Sequence, residues 1–299
     1  MKANTLRNLA IAIGLNLLGL AAVASPADAQ TVRLAATDID GLEELQRQFG
    51  KFRETLSEVT GLDVQFFPVN NRTVAGEALR AGKVEFVLTG PSEYAIFQSR
   101  VKITPVVAFS RPDYFSAIIV KQHSGIRSVS DLKGKRMAFA AVGSTSAHIG
   151  PSLLLSEAGL DPAKDVEPVH LSNTVGYTAL KRGDVAAWGM AHFVYTRLRD
   201  SDPEVSSGTF RVIARGPDLP NDVIVAGAHV EENVIKRFRQ AFRHPETAAK
   251  LKNALLATAE GSDRYKLTAF VPDVDDKEYA YMRKGFVAIG QPQFAMPLK

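Results

Sequence analysis

Leu79-Arg80-Ala81-Gly82-Lys83-Val84-Glu85-Phe86-Val87-Leu88-Thr89-Gly90-Pro91-Ser92-Glu93-Tyr94 holds a helix end, a strand and a helix start in one short run. A short helix over about 74–81 is closed by Gly82. Phe86-Val87-Leu88 is a continuous apolar run of strand type. It stops at Gly90-Pro91, where a proline suits the first turn of a new helix. Helix, strand and helix at this spacing are the repeating unit of a parallel sheet covered by helices.

The same alternation extends in both directions. Upstream, Val32–Ala36 reads as a strand. Leu42, Leu45, Phe49, Phe52, Leu56 and Val59 then recur at helical spacing before Gly61, and Val64–Val69 reads as a second strand. Downstream, Val106–Phe109 and Ser116–Val120 are strands. The pattern restarts after the turn Asp131-Leu132-Lys133-Gly134. Strands are expected at 137–141, 167–171, 185–188, 211–214 and 222–226, with helices at 145–157, 174–182 and from about 192. The remainder is mainly helical. This order fits two α/β lobes joined by strand crossings near 112–117 and 221–226. The first lobe takes 30–115 plus 225–299 and the second takes 116–224.

The chain has 299 residues, 45% of them hydrophobic and 23% charged, which is an ordinary globular balance with length for about two domains. The absence of cysteine excludes disulfides, thiolate catalysis, Cys-ligated zinc, iron–sulfur clusters and a lipid anchor on an N-terminal cysteine. A net charge of +4 is too small and too evenly spread to indicate nucleic acid, but it suits an anionic small ligand. Lys2 and Arg7, the apolar run Leu9–Val23 and the small-x-small site Ala27-Asp28-Ala29 have the layout of a cleavable signal peptide over 1–29. The run is shorter than the roughly 18–20 residues that span a bilayer. The expected destination is the periplasm.

Three strand ends run into helix starts rich in small hydroxylic residues: Thr89–Tyr94, Gly143–His148 and Leu171–Thr174. Ligands of open α/β sheets lie beyond the carboxyl ends of the strands, and the free N–H groups of a helix start attract anions. Any one run can be an ordinary cap. Gly143-Ser144-Thr145-Ser146 offers more hydroxyls than a cap uses, and His148 returns to the same mouth one turn on. An oxyanion could be held there by neutral donors. No phosphate-binding P-loop, G-x-G-x-x-G, G-x-S-x-G or H-E-x-x-H pattern occurs. The six histidines include no pair at four-residue spacing, so no metal or cofactor is expected. Asp38 and Asp40 are either a carboxylate pair or loop residues. The chain reads as a binding protein rather than an enzyme.

The stretches Leu79–Phe86, Thr89–Tyr94, Ser130-Asp131-Leu132-Lys133-Gly134-Lys135 and Gly143–His148 resemble the periplasmic solute-binding proteins for phosphonate, phosphite and phosphate in ABC importers. The resemblance runs through the whole chain after the signal segment. It implies a two-lobed type II binding protein, each lobe a mostly parallel sheet flanked by helices, closing over its ligand about two hinge strands. It places a ligand tyrosine at Tyr94, with Ser92 beside it, an anion cradle at Ser144, Thr145 and Ser146, and a ligand-lining position at His148. Asn173 stands where the family often has histidine. The family's ligand carboxylate after Gly-x-Val-Asp-Ala has no match in Gly183–His192. Trp188, with Met190 and His192, is either a pocket wall, which would suit a less polar organic solute as an alternative ligand, or, for Trp188, lobe core. The implied partners are a small anionic solute and a membrane permease, with a periplasmic sensor-kinase domain as the alternative; a monomer is expected and nucleic acid is not. Capture of arsenite by a thiolate is excluded.

Overall fold

A computed structural model describes residues 29–37, 39, 41–69, 72–206, 208–258 and 264–298. Nearly all of the expected signal segment, together with Asp38 and Asp40, lies outside the described residues. Among the described residues no helix is long and apolar enough to cross a membrane.

The first lobe is built on a six-stranded sheet. It begins with β1 (Thr31–Ala36), α1 (Leu42–Thr60), β2 (Asp63–Phe66), α2 (Arg72–Arg80), β3 (Phe86–Thr89), α3 (Pro91–Arg100) and β4 (Ile103–Phe109). The chain then crosses to a five-stranded sheet. That lobe holds β5 (Phe115–Lys121), β6 (Arg136–Phe139), α4 (Gly150–Glu157), β7 (Glu167–His170), α5 (Asn173–Arg182), β8 (Ala187–Ala191), α6 (His192–Asp200) and β9 (Phe210–Asp218). It returns with β10 (Asp222–Gly227), α7 (Glu232–Arg243), α8 (Pro245–Leu255), the short β11 (Phe270–Val271) and α9 (Ala280–Ala288). The sheet orders are β11-β4-β10-β3-β1-β2 and β7-β6-β8-β5-β9.

The helix spacing read from the sequence has a direct packing basis. Leu45, Phe49, Phe52 and Leu56 form the buried face of α1, which packs with α7 and α8 on one side of the first sheet. Gly61 ends α1 in the left-handed conformation at φ 64°, and its N–H closes onto the Ser57 carbonyl. Ala75, Leu79 and Phe97 of α2 and α3 cover the opposite face. In the second lobe Leu180, Trp188 and Val194 lie in one cluster, and Ile118, Phe139 and Leu155 in another.

The structure refines the sequence reading in three places. The strands of each sheet run mostly one way, as expected, but β10 and β11 are reversed in the first sheet and β5 in the second. β1 runs parallel to β2 and β3, but β10 is antiparallel to both β3 and β4. Likewise β6 is parallel to β7 and β8, while β5 is antiparallel to β8 and β9. The reason is topological: β5 and β10 each enter their sheet directly from a lobe crossing, at the end where neighbouring strands stop. Val223, at the start of β10, accordingly pairs with Thr89 at the end of β3. Secondly, the helix expected over 145–157 starts as a π-helical turn, Thr145–Ile149, before α4. Thirdly, α9 does not simply belong to the first lobe. Met282 and Phe286 are buried with Ile149, Tyr177 and Trp188 of the second lobe and with Ala95 of α3. A Cβ added at Gly285 would come 2.3 Å from Ile149 Cγ2, so α9 approaches the π turn as closely as only glycine allows.

The two crossings, 110–114 and 219–221, run side by side. Leu219 N–H donates to the Tyr114 carbonyl (2.7 Å), and Arg111 N–H donates to Asn221 Oδ1 (3.2 Å).

Candidate functional site

The carboxyl end of β3 and the loop after β6 face each other across the cleft. A chamber of about 240 Å³ lies between them. Gly90, Pro91 and Glu93 line it from the first lobe, and Ser144, Thr145, Ser146 and Asn173 from the second. Arg111, Tyr114, Asp222 and Arg264 close it on the crossing side.

The hydroxyl run takes its shape from the π turn. Ser144 carbonyl accepts from both His148 N–H (3.1 Å) and Ile149 N–H (2.9 Å), so the first turn is wider than an α-helical one. Gly143 supports the entry to this turn at φ 83°. The run is not uniformly open to a ligand. Thr145 Oγ1 accepts from the Ser92 backbone N–H at 3.1 Å and bonds Ser92 Oγ at 2.9 Å. Ser92 Oγ also lies 2.8 Å from the Gly143 carbonyl, within donating reach. Ser92 is fully buried. Ser92 and Thr145 therefore clasp the two lobes together, using donors and acceptors that the sequence reading assigned to an anion. Ser146 bonds the Tyr114 hydroxyl. Ser144 is half-buried on the chamber wall, and Asn173 projects there from the first residue of α5. Ser172, just before it, is an ordinary cap whose Oγ accepts from Val175 N–H.

Three expected site residues lie elsewhere. Tyr94 is fully buried in the first-lobe core, with its ring 4.2 Å from that of Tyr279. Its hydroxyl lies 3.1 Å from Asp276 and 2.8 Å from the donating amide of Gln98, away from the chamber. It sits one helical step beyond Gly90-Pro91, on the core face of α3. His148 turns behind the π helix. Its Nδ1 accepts from Gly143 N–H at 3.0 Å and its ring meets His170 edge-on at 4.9 Å. Burial, reinforced by His170, lowers its pKa to about 4, so it is neutral near pH 7. Trp188 is fully buried in the second-lobe core, against Gly176, where any Cβ would come 2.7 Å from its Nε1. It is core; Met190, two residues on, reaches the chamber instead.

The chamber floor holds residues that the sequence reading did not single out. Asp222 is 1% exposed. It accepts from Arg264 Nη2 (2.9 Å) and from the Tyr265 hydroxyl (2.9 Å), with Arg111 Nη1 at 3.4 Å. Burial alone would raise its pKa. The charges of Arg264 and Arg111 and the Tyr265 bond outweigh burial and hold the carboxyl below its ordinary range. The Arg111 guanidinium lies 3.6 Å from the centroid of the Tyr114 ring. Arg111 follows a strand's carboxyl end and so carried a positional signal. Arg264 lies in a stretch with no motif and is brought in only by the tertiary fold. Glu93, 1% exposed, adds a second carboxylate, with Oε2 3.1 Å from the Ser92 hydroxyl. Two guanidinium groups and two carboxylates thus balance in formal charge. Among the described residues no group of three or more histidine or carboxylate side chains is placed to hold a metal.

Comparison with known proteins agrees with this architecture. The chain is 27% identical over 231 residues to the phosphate-import protein PhnD of Mycolicibacterium smegmatis, covering 71% of each chain. It is 26% identical over 195 residues to a putative aliphatic sulfonates-binding protein of Escherichia coli, covering 62% of this chain and 58% of that one. The fold is similar to that of a binding protein component of an ABC phosphonate transporter from Pseudomonas aeruginosa. There the TM-score is 0.65 at 19% identity, with 88% of this chain and 87% of that one covered. Residues 42–279 match the family described as ABC transporter, phosphonate, periplasmic substrate-binding protein, and by that match the chain belongs to this family.

Proposed function

We propose that the protein captures a singly protonated phosphonate or phosphate-type oxyanion in the chamber between its lobes and hands it to the permease of an ABC importer. The observation that carries this reading is the charge-balanced chamber itself. Arg111, Arg264, Ser144 and Asn173 supply donors from both lobes and the crossing, while Glu93 supplies an acceptor. A protonated oxyanion carries an O–H, and leaving a buried donor unpaired costs about 1–3 kcal/mol. Glu93 takes the part of the carboxylate that is missing from the β8 stretch. Ligand contacts to both lobes favour the closed arrangement, which is a shift of population toward it. The protein acts by binding alone, as a monomer, without chemistry on the solute.

The relation to a sulfonate-binding protein supports one rival reading. A sulfonate has three acceptor oxygens and no proton, so it gains nothing from Glu93 and is repelled by it. Calorimetry at pH 7 with methylphosphonate, phosphate and methanesulfonate separates the two. Methylphosphonate or phosphate should bind at least about tenfold more tightly than methanesulfonate, the factor expected of one hydrogen bond to a charged group. Glu93→Gln should shrink or reverse that preference. A preference for methanesulfonate in the unaltered protein would assign the chamber to sulfonates, and no binding of any of the three would remove the oxyanion reading.

A further inference from the structure

A second chamber of about 270 Å³ adjoins the first, and Arg111, Tyr114, Phe193 and Arg264 belong to the walls of both. It is therefore a continuation of the cleft past the lobe crossing. A bare phosphate or methylphosphonate is small against the first chamber alone, and would leave the second to water.

The second chamber differs in chemistry from the first. Pro112, Phe193 and Leu267 give it apolar walls, and Leu267 and Phe193 are 64% and 38% exposed. No Ser-Thr-Ser run lines it. Its charged groups are Arg111, Arg264, Lys266 and Asp113. Arg111 and Arg264 are already held by Asp222. Lys266 is exposed and has no carboxylate partner among the described residues. His192 also faces this chamber, stacked 4.8 Å from Phe115. Burial and the nearby Arg199 and Arg215 lower its pKa, which keeps it a neutral ring. A passage with apolar walls that leads from an oxyanion site to an ammonium group with no ion pair among the described residues suits a ligand charged at both ends.

We infer that the solute is a phosphonate whose organic substituent runs along Phe193 and Leu267 and ends in a second anionic group, a carboxylate, at Lys266. This inference rests on the phosphonate reading of the first chamber and specifies what the rest of the ligand must be.

Calorimetry on the whole protein with methylphosphonate, butylphosphonate and the two-, three- and four-carbon phosphonocarboxylates tests it. At least one phosphonocarboxylate should bind about tenfold more tightly than methylphosphonate, as one charge-assisted contact would give. Butylphosphonate should fall between them. Lys266→Ala should bring the ratio of phosphonocarboxylate to methylphosphonate affinity close to one. Methylphosphonate binding as well as or better than every phosphonocarboxylate overturns this inference while leaving the phosphonate site intact. A ratio that Lys266→Ala leaves unchanged removes the role of Lys266 and with it the inference. Failure of all the phosphonates removes this inference together with the phosphonate reading of the first chamber.

Discussion

At the scale of single residues, burial sorts the functional groups more sharply than identity does. Asp222 holds two arginines at the chamber floor from a fully buried position. Asp222→Asn should cost about 3–5 kcal/mol in urea unfolding, because it leaves buried guanidinium charge without its counter-charge. Its contribution in the unaltered protein is complete above the unfolded carboxyl pKa of about 3.9 and fades as pH falls through the lower folded value. His148 acts in a different window. Its folded pKa of about 4 lies below its ordinary 6.5, so the unfolded chain takes up the proton first as pH falls. Stability should therefore decline between about pH 6.5 and 4 and be flat just above, and His148→Asn should flatten that decline. Tyr94→Phe removes a hydroxyl that bonds Asp276, not a ligand. It should cost about 0.5–1.5 kcal/mol of stability and leave oxyanion affinity unchanged in calorimetry. The motif Gly90-Pro91-Ser92-Glu93-Tyr94 was legible as a site, but which of its side chains face the cleft was not. That depends on the rotation of α3 against β10, which nothing local to the motif encodes.

At the scale of elements, the hydroxyl run was legible because Gly143 and three hydroxylic residues before an apolar helix are an uncommon pattern. Its π turn was not, since a helix widened by one residue has the same local composition as an ordinary one. The turn presents Thr145 to Ser92 across the cleft. Thr145→Val keeps the shape and removes both bonds, and should weaken the contact between lobes by about 1–2 kcal/mol. Small-angle scattering of the ligand-free protein should then give a larger radius of gyration than the unaltered chain. Ser92→Ala keeps the backbone donor but also loses two of the three bonds, including that to the Gly143 carbonyl, and should expand the chain to a similar extent. The alternation of strands and helices was readable throughout, whereas the antiparallel insertion of β5 and β10 was not. Hydrophobic pattern marks a buried strand without marking its direction.

At the scale of the whole molecule, two lobes and two crossings followed from the sequence, and the place of α9 did not. Its apolar residues are consistent with either lobe, and only the fold shows Met282 and Phe286 buried in the same cluster as Ile149 and Trp188. The loop before α9 is tied to the first lobe as well. Asp276 Oδ1 accepts from Gln98 (2.7 Å) and Arg283 (2.6 Å), and Leu298 N–H donates to the Gln98 carbonyl (2.7 Å). The C-terminal segment is thus a third attachment between lobes, set off from the two crossings. Its consequence is kinetic. Two adjacent strands act as the pin of a door, but a third tether away from the pin must slip before the door swings. Solute capture then waits on an unclasping step that solute cannot hasten. The observed rate of binding should rise with ligand concentration only to a plateau, and Arg283→Gln, which loosens the tether, should lift that plateau in stopped-flow traces. The same tether slows escape, so the protein would hold its cargo through long residence rather than rapid encounter.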